Sequence, residues 1–432
     1  MNIRELKNKA LENIEANKDK IIEIGEKIYN NPELGYKENF ATDLVFDEMD
    51  KLGLNPEKNL AVTGCNGILD TGKKGPQIAV MGELDAVICR EHPDADPKTG
   101  AVHACGHNIQ TAAMLGVAFG LNDQSVLDQL AGQIEFMAVP AEEYVEIEYR
   151  LDLKENGEIS YLGGKQEMIK RGHFDDIDIS MMIHSMDLQD KKVLISPSGN
   201  GFVGKKVQFT GKEAHAGGAP DQGINALNAA MLAINNINAL RETFKDEDRI
   251  RVHPIITKGG DIVNIVPADV RMESYVRGRT IDALMEANKK VNNALRAGGM
   301  AIGADVDIND IPGYMPLLND ENLDDILHEN TDGLVTEEEI VRGVSFTGSF
   351  DFGDITHIMP GLHPFIGGVE GDIHTRNFRM KDPETAYILS AKLMALTLID
   401  LLVDDAARAN KVINQYEPKL TKEEYLELLA DI

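Results

Sequence analysis

The sequence predicts an α/β protein whose larger domain has a mixed central sheet flanked by helices, with a smaller βαββαβ unit inserted into it. Three observations carry that prediction. Nearly all-apolar runs of strand length end in acids or histidines, as the central strands of an α/β sheet do. Helical stretches, amphipathic or rich in small residues, separate those runs. From about Ser198 the pattern becomes β-α-β-β-α-β, the split βαβ arrangement, which can be inserted whole. At 432 residues the chain is also long for a single core. The pattern divides it into 1–197, 198–313 and 314–432, with the first and last pieces forming one domain.

In chain order, Ile3 to Asn30 places Leu6, Ala10, Ile14, Ile21, Ile24 and Ile28 at helical spacing, and Asn31-Pro32-Glu33-Leu34-Gly35-Tyr36 breaks the pattern as a turn. Asn39 to Leu52 is again amphipathic. Gly67 to Asp70 and Gln77 to Met81 read as strands, the second running into Gly82-Glu83-Leu84-Asp85. Ile109 to Leu121 is an apolar small-residue helix suited to burial against the sheet. Gln133 to Val139 is a strand ending in Pro140-Ala141-Glu142-Glu143, and Ile179 to Ile183 is another ending in His184. The insert follows with strands at 205–210, 249–257, 269–276 and 304–311 and helices at 223–244 and 281–297. Helices near Asp324 and Glu337 come next, and one from Glu384 to Asp404 closes the domain.

Composition narrows the function. Seventy-two acidic against 43 basic residues give a formal net charge of -29, which repels phosphate backbones and anionic membranes and argues against nucleic-acid or membrane partners. The three cysteines, Cys65, Cys89 and Cys105, imply no disulfide framework. The N-terminus lacks an apolar secretory core and no apolar run reaches bilayer length, so a soluble cytoplasmic protein is expected.

The chemistry centres on His103-Ala104-Cys105-Gly106-His107-Asn108, where a thiol and an imidazole flank a glycine between a strand and a helix. Cys105, His107, Glu143, His184 and His374 together supply one thiolate, one carboxylate and three imidazoles. That is too many ligands for one tetrahedral ion and about right for two sharing a bridging group. Such a pair polarises an amide carbonyl and acidifies water. Glu142, next to the proposed ligand Glu143, is then free to act as general base, with Asp85 orienting a ligand from behind. His215, Asn264 and Arg277 on the insert offer a donor, an amide and a guanidinium for a carbonyl oxygen and a substrate carboxylate. Gly348, in the loop Thr347 to Phe352, is grouped with them on the substrate side. The remaining histidines, His363 among them, read as surface or core residues.

With Pro32-Glu33-Leu34-Gly35, the cysteine–histidine hexapeptide, Pro140 to Glu143, His184, Gly211 to His215, Asn264, Pro267 and His374 in that order, the chain resembles the M20 metallopeptidases. The likeness is closest to their amidohydrolase branch, which hydrolyses N-acyl, aminobenzoyl and indole-acetyl amino acids. The resemblance implies two divalent ions (Zn or Mn, with Co or Ni also used) held by Cys105, His107, Glu143, His184 and His374, with Glu142 as base acting on a metal-bridged water. It implies that the insert is a ferredoxin-like lid and dimerisation domain, giving a homodimer, and that His215 matches a lid histidine able to reach a partner's site. The substrate expected is an N-acyl or aryl-amide amino acid; the alternatives are a dipeptidase of the same family or a non-catalytic metal-binding interaction protein. The chain departs from the family pattern at Asn108, at Glu83-Leu84-Asp85 and at Ser349-Phe350-Asp351-Phe352. The stretch Tyr144 to Tyr161 is longer than the usual loop, and is expected at the active-site mouth, restricting substrates.

Overall fold

A computed structural model describes all residues, 1–432. The chain forms two units. Unit 1 comprises Met1–Ser198, Leu318–Val344 and Asp354–Lys422, and unit 2 comprises Gly199–Leu317, Ser345–Gly353 and Glu423–Ile432.

Unit 1 is built on a six-stranded mixed sheet in the order Glu57–Leu60, Gly64–Asp70, Gln133–Val139, Gln77–Glu83, Ile179–Met182, Gly361–Leu362. The four strands from Gln133–Val139 onward run parallel, so their carboxyl ends share one edge, where side chains from different strands can meet. The central strands are buried on both faces: Ile78, Val80, Ile134, Phe136, Ile179 and Met181 lie on one, and Ala79, Met81, Met137 and Met182 on the other. The helix His107–Leu121 is buried almost throughout. Helices Ile3–Ala16, Lys18–Tyr29 and Ser390–Gln415 pack around it. Its small residues permit that close enclosure.

Unit 2 is an antiparallel sheet in the order Arg251–Lys258, Asp269–Gly278, Gly201–Thr210, Asp305–Pro312. The helices Ala226–Leu240 and Ile281–Met300 contribute to its core. Alternation along Asp269–Gly278 buries Val270, Met272 and Val276. This unit takes more of the chain than the sequence pattern allots to the insert. Ser345–Gly353 joins it, as Phe350 packs on Gly199 and Arg277 Nη1 donates to Ser349 Oγ at 2.6 Å. The C-terminal Glu423–Ile432 joins it too, with Ile432 against its apolar core.

Three local expectations change. Around Glu337 there is only a three-residue 3-10 turn, Glu337–Glu339, because Ile340–Arg342 leaves at once to pair with Val193–Ile195. The closing helix does not stop at Asp404; it runs to Gln415 after non-helical backbone at Val403 to Ala406. By length and composition Glu384–Gln415 could also cross a membrane, contrary to the expectation that no run is long enough, but 89% of its most apolar window is buried inside the protein.

Where the chain first leaves unit 1, the Ser196 hydroxyl donates to the Asp324 carboxyl, and burial pushes that carboxyl up to about 6. In the unfolded chain it titrates near an ordinary aspartate value of about 3.9. The folded state therefore holds the proton more tightly, a contribution present at low pH and lost as pH rises through about 6. The melting midpoint of Asp324→Asn relative to wild type should rise by a few degrees between pH 4 and pH 7; a constant difference across that window would contradict this assignment.

Candidate metal centre

The strands Gln77–Glu83, Gln133–Val139 and Ile179–Met182 are neighbours in the sheet and end together. Just beyond them come Asp85, Glu142 with Glu143, and His184. The turn before the helix His107–Leu121 lies beside this edge because Gly106 takes a left-handed φ of 83°, where a Cβ would also come within 2.9 Å of Ser185. His374 is drawn in from far along the chain, its N–H donating to Ala104 O at 2.8 Å.

These residues form two triads that share one sulfur. Cys105, His107 and His184 offer donor atoms within 4.8 Å of one another, and so do Cys105, Glu143 and His374. Cys105 Sγ lies 3.5 Å from His184 Nε2 and 3.2 Å from His374 Nε2, and His374 Nε2 is 2.8 Å from Glu143 Oε1. His107 Nδ1 donates to Asp85 O at 2.8 Å, and His184 Nδ1 to Ser185 O at 2.9 Å. Carbonyl oxygens only accept, so each ring presents an unprotonated Nε2 to the centre in its neutral form. Asp85 also accepts from Glu143 N through Oδ2 at 2.8 Å and thus braces two members of the cluster.

The donor set fits divalent ions. His107 Nε2 and Glu143 Oε1 are buried and make no hydrogen bond of acceptable geometry, although Glu83 Oε2 lies 3.0 Å from the first and His374 Nε2 lies 2.8 Å from the second. Buried polar atoms this close together are groups a shared cation can satisfy. Burial and the Glu143 charge push the Cys105 thiol up, but the imidazoles of His374, His184 and His107 outweigh them and bring it to about 6. A thiolate near neutral pH is the form that binds metal. Burial raises Glu143 as well, and His374 and His107 overcome it and hold that carboxyl below its usual range.

Glu142 Oε2 lies 3.8 Å from His107 Nε2, with the side chain largely buried. Two groups escaped the sequence reading. Glu83 joins His107 and Glu142 in a third group within 4.8 Å, and its other oxygen meets the buried Lys165 ammonium at 2.5 Å. Lys165 stands on the helix Gly164–Arg171, and only the position of Glu83 at a strand end hinted at this. His363, read as surface or core, is fully buried with its ring centroid 6.0 Å from that of His184. Asn108 turns away from the centre and donates to Gly25 O and Tyr387 Oη.

The residues expected on the substrate side are on unit 2. Backbone N–H groups of Gly217 and Gly218 donate to His215 Nδ1 at 3.2 and 3.0 Å, which leaves the proton on Nε2. Asn264 is tied to the same loop through Ala216 N and its own carbonyl. Arg277, beside Gly348 through its bond to Ser349, lies over the rings of Phe202 and Tyr275. The pairing of Phe202 with Arg277 and of Thr210 with Asp269 puts Arg277 at one end of the ladder and the His215 loop beyond the other. Eight strand steps separate those pairs, roughly 26 Å.

Comparison with known proteins gives the family. Residues 79–400 match peptidase family M20/M25/M40, and the chain belongs to that family. Its similar relatives are hydrolases of amide bonds. The mouse Xaa-Arg dipeptidase is 29% identical over 98% of this chain and 95% of its own length. The Arabidopsis thaliana IAA-amino acid hydrolase ILR1-like 4 is 26% identical over 81% of this chain and 77% of its own. Among solved structures, a putative aminohydrolase from methicillin-resistant Staphylococcus aureus superposes with a TM-score of 0.77 at 21% identity, covering 92% of this chain and all of that one. A dinuclear metal-binding M20 peptidase from Bacillus subtilis gives 0.70 at 20% identity, over 90% and 99% of the two chains. The chain is thus a metal-dependent hydrolase of the M20 type.

Because Cys105 belongs to both triads, its loss should cost more metal than the loss of either flank. Cys105→Ala should retain well under one ion per chain after gel filtration in zinc, whereas His374→Ala should keep about one; equal retention would show that the sulfur is not shared.

Proposed function

We propose that this chain is a two-metal amidohydrolase that cleaves the amide bond between an acyl group and an amino acid with a free carboxylate. The observation that carries the reading is the buried carboxylate of Glu142 beside two triads joined through Cys105. Cys105, His107, His184, Glu143 and His374 would hold two divalent ions, which would supply Lewis acidity to an amide carbonyl and to water; the thiolate ligand favours zinc, with manganese the alternative.

The chain's own residues do the rest. Glu142 takes a proton from the attacking water and returns it to the leaving amine. Asp85 fixes the His107 ring and the Glu143 backbone, so ligand and base keep their relative positions. His215, protonated on Nε2, is a neutral donor suited to the oxyanion. Arg277, steadied by two aromatic rings, presents a planar fork suited to the amino-acid carboxylate.

The near-full-length similarity to a mouse Xaa-Arg dipeptidase favours a second reading, in which the acyl group is itself an amino acid. Release of amine from N-acyl amino acids, indole-acetyl amino acids and Xaa-Arg dipeptides separates the two. Metal-dependent turnover is expected on at least one class, falling by two to four orders of magnitude in Glu142→Gln; Glu142→Gln with wild-type turnover would defeat the mechanism.

The roughly 26 Å between Arg277 and the His215 loop supports a dimer in which one substrate draws these two groups from different copies. Apolar side chains exposed on unit 2 suit such pairing: Ile255 and Ile256 on the edge strand, Met231 and Leu232 on a helix, and Val263 beside Asn264. Ile255→Lys should shift the chain toward monomer in light scattering. Mixing inactive His215→Ala with inactive Glu142→Gln should restore part of the activity, up to about a quarter of wild type if copies pair at random, and no recovery would exclude shared sites.

A further inference from the structure

The stretch Tyr144 to Tyr161 does more than extend a loop. Residues Ile147–Glu155 form a helix, and its Arg150 is fully buried. The guanidinium meets backbone carbonyls: Nη1 donates to Ala141 O at 3.3 Å and Leu162 O at 2.9 Å, and Nη2 donates to Glu143 O. Those contacts bracket Glu142, with one on the residue before it and one on the residue after.

The turn they hold needs holding. Ala141 has a φ of 56°, a left-handed conformation that is unfavourable for a non-glycine residue and persists only where surroundings fix it. The N–H groups of the turn are fixed as well, Ala141 N to Glu38 Oε1 at 2.8 Å and Glu143 N to Asp85 Oδ2 at 2.8 Å. The opposite wall is shaped for the same guanidinium. A Cβ at Gly35 would lie 2.2 Å from Arg150 Nη2 and 2.9 Å from Ala141 Cα, and the Tyr36 ring stands 5.5 Å from the guanidinium carbon. A lysine could supply the charge at this place but not three directed bonds from a planar fork.

We propose that Arg150 is a positioning residue that sets the angle between Glu142 and Glu143 by binding the carbonyls on either side of Glu142. This rests on the reading of Glu143 as a metal ligand and Glu142 as the base. The helix Ile147–Glu155 is then part of the catalytic scaffold, and its first effect on the reaction is on the chemical step rather than on substrate choice.

The test compares wild type, Arg150→Lys, Arg150→Ala and Gly35→Ala, the last displacing the guanidinium from a different element. Zinc affinity is read by competition with a chromogenic chelator, kcat and KM on the best substrate, and folding by circular dichroism and melting. Arg150→Lys should stay folded, bind its weaker zinc ion ten- to a hundredfold less tightly, and lose kcat by a similar factor with KM nearly unchanged. Gly35→Ala should move affinity and kcat in the same direction, and methylguanidinium should partly restore Arg150→Ala. A folded Arg150→Lys with wild-type zinc affinity and kcat would overturn the proposal. So would a lowered melting point with both values intact, since that is what a purely structural arginine would give. If Arg150→Lys does not fold, Gly35→Ala decides by the same criteria. Failure of the functional reading is seen elsewhere, in a wild-type protein that binds no zinc or binds it and turns over no substrate. In the second case the affinity measurement on the variants still decides for or against Arg150.

Discussion

Unit 1 depends on gathering acidic groups in a place where water cannot solvate them. Glu83, Asp85, Glu142, Glu143 and the Cys105 thiol are all buried at one edge of the sheet, and burial by itself disfavours the charged forms of Glu83, Glu143 and Cys105. Imidazoles and a buried ammonium offset that cost: His374 and His107 hold Glu143 down, and Lys165 and His107 hold Glu83 well below its usual range against the opposing effect of burial. The same charge balance suits the edge to cations, and Cys105 stands where both triads meet.

The scaffold around this edge is rigid in proportion to what it must hold. The three parallel strands fix where Asp85, Glu142 and His184 emerge. The left-handed Gly106 lets His107 begin its helix against Ser185. Every backbone polar group of Ala141 and Glu143 is bound by a buried side chain or a neighbouring amide. Glu142 and Glu143 are adjacent and their side chains reach different neighbours, His107 and His374, so small backbone rotations would misplace both, and this density of bonds resists them.

Unit 2 follows simpler rules. Its strand Asp269–Gly278 buries every second residue, its helices contribute to one core, and its sheet ends in an edge strand carrying the exposed Ile255 and Ile256. Nothing in such a sheet brings its two ends together. The long Gly201–Thr210 and Asp269–Gly278 pair holds the His215 loop and Arg277 apart, while local bonds orient each group where it stands.

The sequence by itself determined the classes of residue and their places along the chain. Apolar runs ending in acids or histidines marked the strand ends, and Cys105, His107, Glu143, His184 and His374 could be named because thiolate, imidazole and carboxylate are the groups that bind such ions. The order of elements in the inserted unit was legible from periodicity, which depends only on near neighbours. Tertiary structure decided what depends on sheet order and register: that Cys105 serves two triads, that Lys165 meets Glu83 across 82 residues, and that His363 packs on His184. It also decided that Arg150 lies beneath the glutamate pair, which its mixed charged and apolar surroundings in the sequence gave no sign of. Such partners are set by which strands lie side by side and which small residues leave room between them, as Gly35 does for Arg150, and no local pattern encodes that arrangement.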